Sequence, residues 1–282
     1  CGKNMMKETV DSLGNQKKMN YALRADMTKK EFISEVTQGL LPPPDYFPAN
    51  VKLNIEGYDD FDTVLKRGTQ ALSPRAFEAA ANETSAIVLD VRHQDAYEKG
   101  HIPSSIFIGL DGEFAPWVGA LIADVKQPLL LVTEKGQEEE AITRLSRVGF
   151  DQTLGYLEGS FEAWKKASME YDTVSSITAE AFKTTYENNN TNVFDMRRES
   201  EFLSEHILEA HSTPLSFMND HLAEFKSNQP FYIHCAGGYR SMIAASILKS
   251  RGIHNLINIK GGFVAIKKAG VQVSDFVCPT SL

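Results

Sequence analysis

Phe231-Tyr-Ile-His-Cys235-Ala-Gly-Gly-Tyr-Arg240-Ser-Met is the stretch of this 282-residue chain best equipped for chemistry. Four residues of strand character run into Cys235, a glycine-containing turn follows, and a helix-like run extends from Arg240 to Ser250. A strand that ends in Cys and turns directly into a helix N-terminus puts the sulfur at the positive end of the helix dipole. Successive backbone N–H groups converge there. Such surroundings favour a thiolate and expose it as a nucleophile. Cys235 and Arg240 have four residues between them. A loop one residue longer would form a cradle wide enough for a tetrahedral phosphate, whereas this tighter loop suits one extra sulfur atom carried on the cysteine as a persulfide. Gly237 and Gly238 let the backbone curl close to that atom with no Cβ in the way. A lone cysteine after a strand is ordinarily a small buried hydrophobe. Here strand, glycines, arginine and helix stand in order, and that order indicates a functional loop.

The run Cys235-Ala236-Gly237-Gly238-Tyr239-Arg240-Ser241 resembles the active-site loop of the rhodaneses, a family of sulfurtransferases. The resemblance implies that Cys235 is the catalytic nucleophile and that Ala236, Gly237, Gly238, Tyr239 and Arg240 bind the persulfide anion.

The elements around this loop occur twice. Leu72-Ser-Pro-Arg-Ala-Phe77 matches Ile177-Thr-Ala-Glu-Ala-Phe182, a shift of 182 − 77 = 105. Leu89-Asp90-Val-Arg92 matches Phe194-Asp195-Met-Arg197, and Tyr97-Glu-Lys-Gly-His101-Ile matches Phe202-Leu-Ser-Glu-His206-Ile, both at the same shift. Leu157-Glu-Gly159-Ser-Phe161 matches Ile259-Lys-Gly261-Gly-Phe263 with a shift of 263 − 161 = 102. Each copy reads as α/β. In the first, Ser73 is a helix N-cap with Pro74 at the first helical position. Strands are expected at 86–90, 129–132 and 155–157, with helices at 138–148 and around Phe161 to Trp164. The second copy repeats the order, with strands at Val193-Phe194, 231–234 and 256–259. Short apolar strands alternating with helices predict a parallel sheet flanked by helices in each copy. The motifs Leu-Asp-Val-Arg, Glu-Lys-Gly-His-Ile-Pro and Gly-Ser-Phe-Glu-Ala-Trp are similar to those of rhodanese domains over about residues 70–276. The expected organisation is a segment 1–62, a silent rhodanese-like domain 63–170 and an active one 175–282.

The copies differ at the nucleophile. Thr133 (235 − 102 = 133) stands where the second copy has Cys235, in a turn bearing Glu134, Glu138, Glu139 and Glu140. Threonine has no accessible anionic form, and the carboxylates would repel an anionic substrate. The first copy is therefore expected to be silent, packing against its twin and shaping the mouth of the cleft. Strand alternation turns His234 away from Cys235, which argues for packing rather than a catalytic base. His101 and His206 match across both copies, so structural hydrogen bonding accounts for them better than metal binding. Asp90 and Asp195 also match. Asp195 is expected to support the loop by pairing with Arg240 or with an adjacent backbone N–H. Trp117 reads as an aromatic packing residue between domains, and Cys278 as a bystander thiol.

Composition fits a soluble enzyme. A net charge of −8 and a pI near 5.4, with no basic stripe, argue against nucleic acid or an anionic membrane as partner. No apolar run approaches the ~20 residues of a membrane span. Three scattered cysteines, Cys1, Cys235 and Cys278, form no disulfide framework and point to a reducing, cytoplasmic setting. The chain starts at Cys1 without Met or a signal-like segment, which reads as a piece of a longer polypeptide. Near its start, Thr28 and Glu31 form a capping-box pattern, and Leu40-Leu-Pro-Pro-Pro44 breaks the helix. Cys1-Gly-Lys-Asn-Met, Gln16-Lys-Lys-Met-Asn-Tyr21 and Gly39-Leu-Leu-Pro-Pro-Pro-Asp-Tyr46-Phe resemble the C-terminal end of a metallo-β-lactamase-fold domain. The similar proteins are persulfide dioxygenase–rhodanese fusions related to the glyoxalase II hydrolases. Their His-x-His-x-Asp-His metal motif is missing, and the first histidine here is His93. The resemblance thus implies no metal or cofactor in this chain, with iron or zinc confined to an upstream domain.

These readings converge on a sulfurtransferase that accepts sulfane sulfur on Cys235 from glutathione persulfide, coenzyme A persulfide or thiosulfate and passes it to a thiol acceptor. The upstream domain would be its partner, and a homo-oligomer remains open. Two other functions compete with it. A non-catalytic interaction module is suggested by the lost cysteine of the first copy, and a cysteine phosphatase is disfavoured by the short loop.

Overall fold

The computed structural model describes residues 10–20, 22–37, 44, 46–188, 191–225 and 229–278. The chain divides into two compact units, 1–43 and 44–282. In the first, helices Leu13–Met19 and Lys29–Thr37 are present. The capping box forms: Glu31 N donates to Thr28 Oγ1 (3.3 Å), and Thr28 N donates to Glu31 Oε2 (2.7 Å). Cys1 to Met5, Tyr21, residues 39–43 and Asp45, which carry much of the metallo-β-lactamase-like pattern and the Leu-Leu-Pro-Pro break, lie outside the described residues.

The larger unit contains two five-stranded parallel sheets of one topology. The first holds β1 (Ala71–Leu72), β2 (Ile87–Asp90), β3 (Ile106–Phe107), β4 (Leu129–Val132) and β5 (Thr153–Leu157), in the order β1-β5-β4-β2-β3. The second holds β6 (Ser176–Ile177), β7 (Val193–Asp195), β8 (His211–Ser212), β9 (Phe231–His234) and β10 (Leu256–Ile259), in the order β6-β10-β9-β7-β8. The expected strands are present. The two-residue edge strands β1, β3, β6 and β8 were not foreseen, because two residues carry no periodicity. Ser73 caps the helix Pro74–Thr84 as expected, with Pro74 at its first position. Helices Phe47–Glu56 and Phe61–Gly68 belong to this unit, and Val64 of the second is buried in its core.

Burial follows the strand alternation. Leu129 and Leu131 face one cluster, while Leu130 and Val132 face another with Phe77, Phe161 and Trp164. Phe231, Ile233 and Cys235 join the first of these clusters, whereas Tyr232 lies on the opposite face with Phe182 and Phe263. That shared cluster runs through both sheets. Its centre is the helix Tyr239–Ser250, whose residues 241–248 are all buried. The sequence Met-Ile-Ala-Ala-Ser-Ile-Leu has no polar face, as a helix covered on every side requires. Its Ser246 Oγ accepts from the N–H of Phe107, on the edge strand β3, at 3.0 Å. Lys260–Glu98, at 2.6 Å, adds a link between the domains.

One buried ion pair appears in both copies. Asp90 accepts from the Nε of Arg92 at 2.9 and 3.1 Å, and Asp195 from the Nε of Arg197 at 3.0 and 2.9 Å. Arg92 also reaches Gly100 O (2.8 Å) and lies over Phe161; Arg197 reaches Glu205 O (2.7 Å) and lies over Phe263. Both carboxylates are fully buried. Removing the cation should leave a buried charge unmatched, so Arg92→Met is expected to cost about 3–5 kcal/mol in urea unfolding although it lies in the copy without the cysteine. A loss under about 1 kcal/mol, the scale of an exposed pair, would show that the pair is not structural.

Candidate active site at the domain boundary

Cys235 follows β9 directly and sits at the N-terminal end of the helix Tyr239–Ser250. Gly238, at φ 114°, turns the chain into that helix, and its N–H points at Cys235 Sγ at 3.1 Å. A side chain is strained at this φ, which explains the glycine. A second glycine supports the loop from below. Gly262 approaches so closely that a Cβ there would meet Ala236 O at 2.7 Å. Beside it, Phe263 N donates to Cys235 O (2.7 Å) and Val264 N to Ala236 O (3.2 Å). The sequence reading aligned Gly262 without assigning it this part; the Gly261-Gly262 pair, set against Gly159-Ser160, was the available signal.

Arg240 does not pair with Asp195. Its guanidinium donates to both oxygens of Glu201, at 2.6 and 3.0 Å. Asp195 instead takes the other expected partner, a backbone N–H, that of Arg197 at 2.9 Å, in addition to the Arg197 guanidinium. The two are parted because the Arg197 guanidinium, two residues on in the same chain, already fills the Asp195 carboxylate. Glu201 was missed because its partner is 39 residues away. Burial pushes the Glu201 carboxyl up, but the Arg240 side chain, the Arg198 backbone N–H and the guanidinium charges outweigh burial and hold it below the ordinary carboxylate range.

His234 and Cys235 diverge as strand geometry predicts. His234 is fully buried, stacked on Phe263 at 6.1 Å, with Nε2 3.8 Å from Asp195 Oδ2. Burial, aided by the charge of Arg197, outweighs the attraction of Asp195 and keeps the imidazole below the usual histidine range. His101 and His206 each place Nδ1 on the carbonyl four residues back, Tyr97 O (3.0 Å) and Phe202 O (2.8 Å), and each stacks on that residue's ring at 4.0 Å. They close turns. Cys278 is exposed. Among the described residues, no three His, Cys, Asp or Glu side chains gather as a metal site.

The cleft above Cys235 has a volume of about 430 Å³ and is lined from both domains. The second supplies Ala236, Gly237, Tyr239, Arg240, Arg198 and Glu201. The first supplies Gln94, Glu113 and Trp117, so Trp117 is both an interdomain packing residue and a wall of the cleft. Tyr239 bolts the loop to the first domain: its hydroxyl donates to Gly109 O at 2.6 Å, and its ring packs under Gly112.

In the first copy, Thr133 follows β4 as Cys235 follows β9, and the register Asp90↔Val132 repeats Asp195↔His234. There Glu138 replaces Arg240 (240 − 102 = 138) and Ala96 replaces Glu201 (201 − 105 = 96). The counterparts of Cys235, Arg240 and Glu201 all differ here while the frame persists.

The model of the Rhodanese-like domain matches residues 73–167 and 178–269. This chain belongs to that family. The uncharacterized protein YqhL of Bacillus subtilis is 33% identical over 100 residues, 36% of this chain and 75% of that protein. The thiosulfate sulfurtransferase GlpE of Pseudomonas syringae is 31% identical over 87 residues, 30% of this chain and 78% of that one. Among solved structures, a thiosulfate sulfurtransferase from Pseudomonas aeruginosa aligns at 20% identity and a TM-score of 0.34, covering 73% of this chain and 44% of that one. No helix of the described residues is long and apolar enough to cross a membrane.

The Arg240–Glu201 pair gives a pH signature. Because the folded-state value of Glu201 is depressed, its contribution is complete above the unfolded carboxylate value of about 4.3 and is lost as pH falls through the lower folded value. The chain should therefore exceed Glu201→Gln in stability near neutral pH, with the gap closing below about pH 4. A gap unchanged between pH 7 and pH 3, measured by urea unfolding, would show that the carboxylate charge plays no part.

Proposed function

We propose that this rhodanese-like chain is a sulfurtransferase that carries sulfane sulfur as a persulfide on Cys235. The observation that carries the reading is the Gly238 N–H aimed at Cys235 Sγ from 3.1 Å, at the start of a buried helix and at the base of a cleft. The Cys235 thiolate attacks the outer sulfur of a donor R–S–S⁻. The donor S–S bond breaks, R–S⁻ leaves, and Cys235–S–S⁻ remains. An acceptor thiolate then takes the outer sulfur and regenerates the Cys235 thiolate, so atoms and charge balance in both half-reactions and kinetics are ping-pong. Backbone N–H groups of residues 236–240 stabilise the terminal sulfur anion through the helix dipole. Arg240 braces the loop through Glu201.

Cys235→Ser should reduce transfer to background while keeping the fold, since a hydroxyl is a far weaker nucleophile of similar size. Mass spectrometry of the Cys235 peptide after donor treatment should show one added sulfur atom. Turnover by Cys235→Ser would place the chemistry elsewhere in the chain, and no added sulfur in the native chain with any donor would favour a non-catalytic interaction module. Thr133→Cys should create no second site, because the opposing Glu138 and the lost Glu201 counterpart remain.

The loop offers backbone dipoles and one committed cation, which suits a donor of low charge at its reacting end. Glutathione or coenzyme A persulfide is accordingly expected to load Cys235 with a higher kcat/KM than thiosulfate. Stopped-flow loading checks this, and faster loading by thiosulfate at ordinary ionic strength would refute it. The metallo-β-lactamase-like pattern carried by residues 1–5, 16–21 and 39–47 supports a finer reading, in which an upstream metal domain oxidises thiol persulfides and exchanges sulfur with Cys235. A His-x-His-x-Asp-His motif in the upstream sequence is its test.

A further inference from the structure

Among the described residues, four charged side chains line the cleft, and each faces an opposite charge. Arg240 is held by Glu201 within its own domain. Arg198, the N-cap of the helix Glu199–Ser204, faces across the domain boundary instead, its Nη2 lying 3.9 Å from Glu113 Oε2 of the first domain. Both side chains are about two-thirds exposed, at 67% and 65%. Of the two arginines that line the cleft, Arg198 is the more exposed (Arg240 is 16% exposed), and the first domain sets a carboxylate against it. Asp111 lines the adjoining hollow beside Gly112 and Tyr239. Arg144 lies behind this loop, bonded to Leu110 O, Gly112 O and Glu140, and does not line the cleft.

An exposed pair of this kind contributes little to stability. A carboxylate beside a cleft does change the potential that an incoming anion meets. We propose that Glu113 of the silent domain determines donor selectivity: by neutralising Arg198 it discriminates against sulfane donors doubly charged at the reacting group. The proposal rests on the sulfur-transfer reading of Cys235. It gives the degenerate copy a task that does not require its lost cysteine.

A matched pair of donors isolates charge. Thiosulfate is a dianion and leaves as sulfite. Methanethiosulfonate replaces one oxygen by methyl, carries one charge fewer and leaves as methanesulfinate. In both, Cys235 takes the outer sulfur and the S–S bond breaks. Second-order loading of Cys235 is measured for both donors with the native chain, Glu113→Gln, Arg198→Gln and the double variant. Glu113→Gln should raise the thiosulfate-to-methanethiosulfonate rate ratio about fivefold or more at low salt. The gain should vanish in the double variant and in ~1 M salt, where screening reaches only about 3 Å. An unchanged ratio overturns the proposal, as does a gain that survives high salt or the loss of Arg198. If thiosulfate loads the native chain too slowly to detect, Glu113→Gln must bring it into range, and failure there also overturns it. No loading of the native chain by these donors or by glutathione persulfide would instead refute the sulfur-transfer reading itself.

Discussion

A fully buried aspartate held by the arginine two residues later is the interaction on which both halves of this molecule depend. Asp195 and Asp90 stand at the ends of β7 and β2, in register with His234 and Val132, the residues just before Cys235 and Thr133. A buried carboxylate is tolerated only when its charge and lone pairs are matched. Matching it brings in the guanidinium, which in turn reaches a loop carbonyl and lies on a phenylalanine from the last helix of its domain. One ion pair therefore fixes the strand end, the loop after it and the helix beneath. Cys235 is placed on a frame that is already rigid.

The pair is structural, and the first domain shows why. Arg92–Asp90 persists there with the same partners although Cys235, Arg240 and Glu201 have become Thr133, Glu138 and Ala96. What the fold requires is present in both copies, and the residues particular to the Cys235 loop are present in one. The duplication thus separates the two sets of residues within a single chain.

The domains also share a core. The helix that starts at the Cys235 loop is buried on all sides, with β3 of the first domain against it, and Tyr239 hydrogen-bonds to that domain from inside the loop itself. Gln94, Glu113 and Trp117 complete the cleft from the same side. A loop read as a local motif is in the folded molecule held from two domains.

The sequence by itself was enough to locate Cys235, the glycine-containing turn, the helix after it, the duplication and the Thr133 that stands in place of the cysteine, because these depend on residue types at short spacing. It also separated His234 from Cys235, since strand alternation is a local rule. Only the tertiary structure decided which charges meet. Arg240 chose Glu201 over Asp195 because Arg197 fills the Asp195 carboxylate at close range, and no spacing along the chain reveals that competition. The edge strands and the Arg198–Glu113 pairing were equally hidden. Each depends on the packing of elements distant in sequence, where distance in space and not order along the chain sets the energy.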